Sequence, residues 1–164
     1  MTEPVLDFEV LYRRYAADVY RFALYLCGRH DQADDIASET FVRAWTSPAP
    51  IRSGTVKAYL FTIARNLYRM DVRRARRQEP VAVDVHDAAP GPEALVADRR
   101  AMERLVAALQ ELPEIDRTVL IMRGEDELSY DEIAVAVGLS PGTVRVKVHR
   151  ARARLAHLQG KEQP

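Results

Sequence analysis

Residues 128–155 read LSYDEIAVAVGLSPGTVRVKVHRARARL, and the punctuation of this stretch decides the fold. Ser129-Tyr130-Asp131-Glu132 is a capping box: the Ser129 hydroxyl accepts from the Glu132 amide, and the Glu132 carboxylate reaches back. Ile133, Ala134 and Val137 form a short inward face, with Ala134 small where two helices cross closely. Gly138 supplies the turn and Leu139 plugs the gap. Ser140 caps a second helix whose first position is Pro141, where the missing donor costs nothing. In that helix Val144, Val148, Ala151 and Leu155 recur at steps of four, three and four as a buried stripe. Thr143, Lys147, Arg150 and Arg154 repeat those steps on another stripe, with Arg145, His149 and Arg152 alongside. A short capped helix, a glycine turn and a basic second helix make a helix-turn-helix, whose second helix enters the major groove of DNA. Thr143 and Arg145, near the helix start, are expected at base edges, with Lys147 and His149 as further candidates and Ser140 beside them. Arg150, Arg152 and Arg154 are expected on phosphates. A helical hairpin with a solvated basic face is the plainer reading; the joint presence of both caps, the glycine turn and unbroken positive charge favours DNA.

Outward from this motif, the rest of the 164-residue chain is also helical in pattern. Phe8, Leu11, Tyr12, Tyr15, Val19, Phe22, Ala23 and Leu26 fall on one stripe of a long helix that Gly28 ends. A second helix is expected from about Gln32 to Trp45, with Ala33, Ile36, Ala37, Thr40, Phe41 and Ala44 inward. Ser47 to Gly54 holds two prolines and a glycine and reads as a loop. A third helix is expected from Val56 to Arg77, with Leu60, Ile63, Ala64 and Leu67 inward and Arg65, Arg69, Arg73 and Arg76 on another face. From Gln78 to Pro92 the period dissolves among prolines, aspartates and a glycine. The expected fold class is therefore all-α: two small helical domains, residues 1–78 and 93–164, joined by a flexible linker over 79–92. Each is near the lower size limit for an independent core.

Hydrophobic residues make up 48% of the chain and charged residues 29%, an ordinary globular balance. The 24 basic and 24 acidic residues cancel, but their distribution does not. Arg65 to Arg77 carries six arginines against the single acid Asp71, and Arg145 to Arg154 carries five basic residues and no acid. Asp31 to Glu39 holds four acids and no base. Phosphate contacts are local, so two basic elements and one acidic element suggest DNA and a separate protein partner. Cys27 is the only cysteine and falls in an apolar stretch, so no disulfide and no thiolate metal cluster is expected. His30, Asp31, Asp34 and Asp35 are a conceivable metal site, but no cofactor and no metal is expected. Neither a signal peptide nor an apolar run of membrane length is present in the sequence, which reads as cytoplasmic.

Three stretches in order resemble the sigma factors of bacterial RNA polymerase, in particular the small extracytoplasmic-function (ECF) group. Asp31 to Trp45 is similar to that group's polymerase-docking region. Ala58-Tyr59-Leu60-Phe61-Thr62-Ile63-Ala64-Arg65-Asn66, followed by Asp71 and Arg73-Arg74, is similar to its minus-ten-reading helix. Leu112-Pro113, Arg117, Ser129 to Ala134 and Gly142-Thr143-Val144 with His149 to Arg152 are similar to its minus-thirty-five domain. The resemblance implies core RNA polymerase, promoter DNA and an anti-sigma factor as partners. It implies core-polymerase contacts from Asp34, Asp35, Glu39, Phe41 and Trp45. It also implies minus-ten contacts from Arg52, Ser53, Tyr59, Arg65, Asn66, Arg69, Arg73 and Arg74. In the group, the loop before the third helix captures a flipped base, at a cost of a few kcal/mol that a preformed pocket and cationic clamp must offset. The residue types agree independently: arginines interleaved with Tyr59, Phe61, Asn66 and Tyr68 suit single-stranded DNA, where bases stack and the backbone is neutralised, although Tyr59 and Phe61 fit core packing as well.

The sequence fits two other classes less well. A conventional helix-turn-helix regulator would bind duplex DNA tightly without polymerase, as a dimer on a palindrome. The arginine–aromatic third helix speaks against it. An enzyme would need a converging polar constellation; the four histidines, His30, His86, His149 and His157, are scattered, and no small-molecule substrate is expected.

Overall fold

The computed structural model describes residues 7–47, 55–77 and 93–161. These residues form seven helices and no strand: α1 (Phe8–Cys27), α2 (His30–Thr46), α3 (Val56–Arg77), α4 (Glu93–Gln110), α5 (Glu114–Gly124), α6 (Tyr130–Val137) and α7 (Pro141–Lys161). The expected linker, and the loop bearing Arg52 and Ser53, lie outside the described residues.

Local chemistry sets the helix ends. The Asp7 carboxylate accepts from the Glu9 amide to start α1, and Gly28, at φ 75°, stops it with its N–H on the Leu24 carbonyl. The hydroxyl of Thr55 accepts from the Ala58 amide and opens α3. α6 runs from Ser129, whose hydroxyl accepts from the Glu132 amide at 3.0 Å, to Gly138 at φ 73°. The capping box is not reciprocal as expected: the Glu132 carboxylate accepts from the Ser129 hydroxyl and from Thr55 Oγ1 of α3's N-terminus. Ser140 Oγ accepts from the Thr143 amide and starts α7.

α1, α2 and α3 pack on one another through the stripes their periodicity marks out. Val19, Phe22, Ala23, Leu26, Ala33, Leu60 and Ala64 are fully buried or nearly so. Phe22 and Phe61 stack at 4.3 Å with only 4° between their planes, which joins α1 to α3. The Thr40 hydroxyl, wholly buried, is satisfied by the Ile36 carbonyl at 2.7 Å. In the C-terminal half Val119 and Met122 of α5, Ile133 of α6, and Val144, Val148 and Ala151 of α7 bury one another around the helix-turn-helix.

The halves do not stand apart. α4 and α5 pack on α1, α6 packs on α3, and one continuous apolar cluster runs from Leu11 to Ala151. Arg117, buried, donates to the Leu26 carbonyl at the end of α1 and to the Gln110 side chain, with its guanidinium 5.8 Å from the Tyr68 ring. Gln110 in turn donates to the Tyr25 carbonyl at 2.9 Å. No described helix is long and apolar enough to cross a membrane.

The two turn glycines differ in their surroundings. A Cβ on Gly28 would lie 2.9 Å from Gln110 Cδ, whereas one on Gly138 would meet nothing within 4 Å. Both substitutions to Ala carry the left-handed backbone penalty of about 1–2 kcal/mol. Urea denaturation is expected to show Gly28→Ala as the more damaging, because it also displaces the side chain that ties α4 to α1.

Candidate DNA and protein-docking surfaces

On α7, burial of Val144, Val148 and Ala151 turns the remaining faces to solvent. Thr143, Arg145, His149, Arg150, Arg152 and Arg154 are all exposed, as the helix-turn-helix reading requires of residues that meet DNA. Ser140 is exposed, but its hydroxyl is occupied by its cap and by Thr143 Oγ1 at 2.8 Å. Lys147 is half-buried and lies 3.5 Å from Asp116 of α5. Arg145 is held over the Tyr130 ring at 5.1 Å, and Arg123 from the end of α5 lies 4.5 Å from the same ring. That convergence of two guanidiniums on one aromatic leaves no local signal in the sequence, because its members come from three separate helices. It fixes the direction of Arg145 while leaving it exposed.

On α3, Asn66, Arg69, Arg73 and Arg74 are exposed, and the first three lie at helical spacing on one face. Arg76 and Arg77 extend the positive charge to the last turn, where it complements the helix dipole. Tyr59 is half-buried. Phe61, read as a base-stacking aromatic, is wholly buried against Phe22, so its ring serves the core. Arg65 is only 5% exposed and forks onto Glu114 of α5, with Nε–Oε1 at 2.8 Å and Nη2–Oε2 at 3.2 Å. Burial opposes the charge on Glu114, yet the Arg65 guanidinium outweighs it and holds the carboxyl below its usual range.

On α2, Asp34, Asp35 and Glu39 are exposed, with Glu39 paired to Arg43 at 3.2 Å. Phe41 is 2% exposed and meets Tyr12 edge-on at 5.0 Å, so it supports this face from beneath. Trp45 is 60% exposed despite an edge contact with Phe8, and Val42 beside it is 51% exposed. Asp35, Glu39, Val42, Arg43, Met70 and Arg74 line a groove of about 510 Å³ between α2 and α3. The groove mixes acids with arginines, and the exposed indole and valine at its side are the kind of apolar surface that a protein partner buries.

A helix-turn-helix with an exposed basic second helix, joined to a helical half that exposes Asp34, Asp35 and Glu39, marks a DNA-binding class of protein. Residues 11–78 match the family model for sigma-70 region 2, and residues 102–155 that for sigma-70 region 4. The ECF RNA polymerase sigma factor EcfG of Rhodopseudomonas palustris is 37% identical over 142 residues, covering 84% of this chain and 76% of that protein. SigE of Mycolicibacterium smegmatis, another ECF sigma factor, is 36% identical over 154 residues; the match covers 91% of this chain and spans 60% of SigE. The sigma factor RpoE of Bartonella quintana, solved in complex with the anti-sigma factor NepR, superposes with a TM-score of 0.74 at 28% identity, over 97% of this chain and 100% of that one. CnrH, solved with the cytosolic domain of CnrY, shares the fold with a TM-score of 0.71 at 24% identity, over 95% of this chain and 89% of that one. The chain belongs to the ECF sigma factors, in the sigma-70 family.

Two substitutions separate the roles on α7. Arg150→Ala is expected to weaken duplex binding evenly across sequences and to flatten the slope of log affinity against log salt by about 0.9. Arg145→Ala is expected instead to compress the spread of affinities across a panel of duplexes, by about 1–3 kcal/mol of discrimination. Equilibrium binding to that panel at several salt concentrations distinguishes them.

Proposed function

We propose that this chain is a transcription initiation subunit that docks on core RNA polymerase and carries it to specific promoters. In this reading residues 1–78 dock and open DNA, residues 79–92 connect, and residues 93–164 hold the minus-thirty-five element. α2 presents Asp34, Asp35, Glu39 and Trp45 to the polymerase, with Phe41 beneath them. α3 offers Asn66, Arg69, Arg73 and Arg74, with Tyr59, to the separated minus-ten strand, and the preceding loop with Arg52 and Ser53 receives a flipped base. α7 lies in the major groove, with Thr143 and Arg145 on base edges, Lys147 and His149 beside them, and Arg150 and Arg152 on phosphates.

The observation that carries this reading is the pairing, in one chain, of two exposed cationic faces on α3 and α7 with an exposed acidic face on α2. A regulator that binds duplex DNA alone has use for α7 but none for the other two. Each phosphate neutralised releases counterions, so α7 supplies affinity that falls steeply with salt, and base-edge contacts supply the sequence choice. The chemistry of RNA synthesis belongs to the polymerase, and the chain works in the cytoplasm, where that polymerase acts. An anti-sigma factor is the expected antagonist, since RpoE of Bartonella quintana was solved bound to one.

Mixing the purified chain with sigma-free core polymerase is expected to give a co-eluting complex that starts transcripts at discrete sites on genomic DNA. Failure to co-elute, together with tight duplex binding by the chain alone, would leave the conventional regulator standing instead.

A further inference from the structure

Among the exposed charges of α7 stands an apolar residue that the fold does not use. Val146 is 48% exposed, whereas Val144, Val148 and Ala151 on the opposite face are buried. Among the described residues of α7 it is the one large apolar side chain so exposed. Its sequence neighbours are drawn aside by partners of their own: Arg145 to the Tyr130 ring at 5.1 Å, and Lys147 toward Asp116 at 3.5 Å. The helix gains nothing from a β-branched residue there, since the side chain loses rotamer freedom against the preceding turn.

Val146 lies in the middle of a line of short side chains. Gly142, Val146 and Ala153 follow one another at steps of four and seven, directly opposite the buried stripe, and all three are exposed. Arg145 and Arg152 flank this line on one side, and Thr143, Arg150 and Arg154 on the other. Nothing in the fold requires the glycine. A Cβ on Gly142 would meet no atom within 4 Å, and its φ is not left-handed, yet glycine costs a helix stability. Short residues on the outermost line are what a helix needs to enter the major groove. A helix about 10–12 Å across barely fits a groove about 12 Å wide. In that pose the flanking residues reach phosphates and base edges, and the central line meets the floor of the groove.

Of the four bases, thymine alone presents a methyl group on that floor. An isopropyl group neither donates nor accepts a hydrogen bond, so it discriminates by burying apolar area and by desolvating any polar edge set against it. We infer that Val146 is a specificity-determining residue that selects a thymine, through contact between its methyl groups and the 5-methyl of the base. The inference rests on the placement of α7 in the major groove proposed above.

The test uses the full chain assembled with core RNA polymerase to select duplexes from a randomised pool. Each thymine of the selected duplex is then replaced in turn by uracil, which pairs identically and lacks only the methyl. At one position the replacement is expected to weaken binding by the wild-type complex about fourfold, the worth of one methyl-sized group. Val146→Ala is expected to weaken binding to the thymine duplex and to abolish the uracil penalty at that position alone. There, 5-methylcytosine is expected to bind better than cytosine with the wild-type chain and equally well with Val146→Ala. Val135→Ala, at a valine 85% exposed on α6, makes the same truncation away from α7 and is expected to leave the uracil profile unchanged. Position 146 is exposed and alanine is the stronger helix former, so Val146→Ala keeps the fold, which a circular dichroism melt checks. A duplex with no uracil-sensitive thymine, or a penalty that Val146→Ala leaves intact, would overturn the contact. So would a penalty that Val135→Ala abolishes equally. A complex that enriches no duplex at all would sink the major-groove placement, and the inference with it.

Discussion

The end of α1 is the constraint on which the arrangement depends. A helix terminus leaves carbonyls without partners, at the negative end of the helix dipole. Here Gly28 turns the chain sharply and leaves the Tyr25 and Leu26 carbonyls pointing out of the helix. The C-terminal half fills that vacancy: Gln110 donates to one and Arg117 to the other. Arg117 brings a full positive charge to the place where the helix is most electronegative, and Tyr68 of α3 covers its guanidinium. Loss of that contact would leave a cation stranded in a largely apolar setting, which is far costlier than an unmade surface pair.

The formal neutrality of the chain conceals a division of labour. α2 carries acid outward and α7 carries base outward, while between the halves Glu114 and Asp126 meet Arg65, Arg21 and Lys57, with Asp18 beside the last two. A surface organised this way can attract nucleic acid and a basic protein at once, since each responds to the field within roughly 10 Å of it. Burial raises the carboxyl of Asp126 above its usual range, against the pull of Lys57 and Arg21. The halves are therefore joined by apolar area and helix-end hydrogen bonds, with the ionic contacts governing fit more than strength.

Most helices were legible because their signals are local. α3 covers the expected Val56–Arg77, and Gly28, Ser129, Gly138 and Ser140 occupy the caps their chemistry suits. Phe41 and Phe61 were harder: an aromatic among charges fits a binding face or a core equally well, and only the packing of Tyr12 and Phe22 against them decides. The pairs Arg65–Glu114 and Arg21–Asp126 span 49 and 105 positions. No periodicity links residues so far apart, so the burial of Arg65 could not be read from its place on the arginine stripe. The same holds for Glu132, whose carboxylate meets Thr55 from another helix instead of closing its own cap.

The socket at the end of α1 bears on how such chains can be recombined. Joining this N-terminal half to the C-terminal, helix-turn-helix half of a relative is an obvious way to build a hybrid chain. Such a hybrid inherits an α1 whose terminal carbonyls expect a glutamine and an arginine at the spacing of Gln110 and Arg117, and a Gly28 shaped to admit the former. The useful crossover point is therefore set by which residues complete that helix end, and a donor half lacking them brings its recognition helix on a loosened mount.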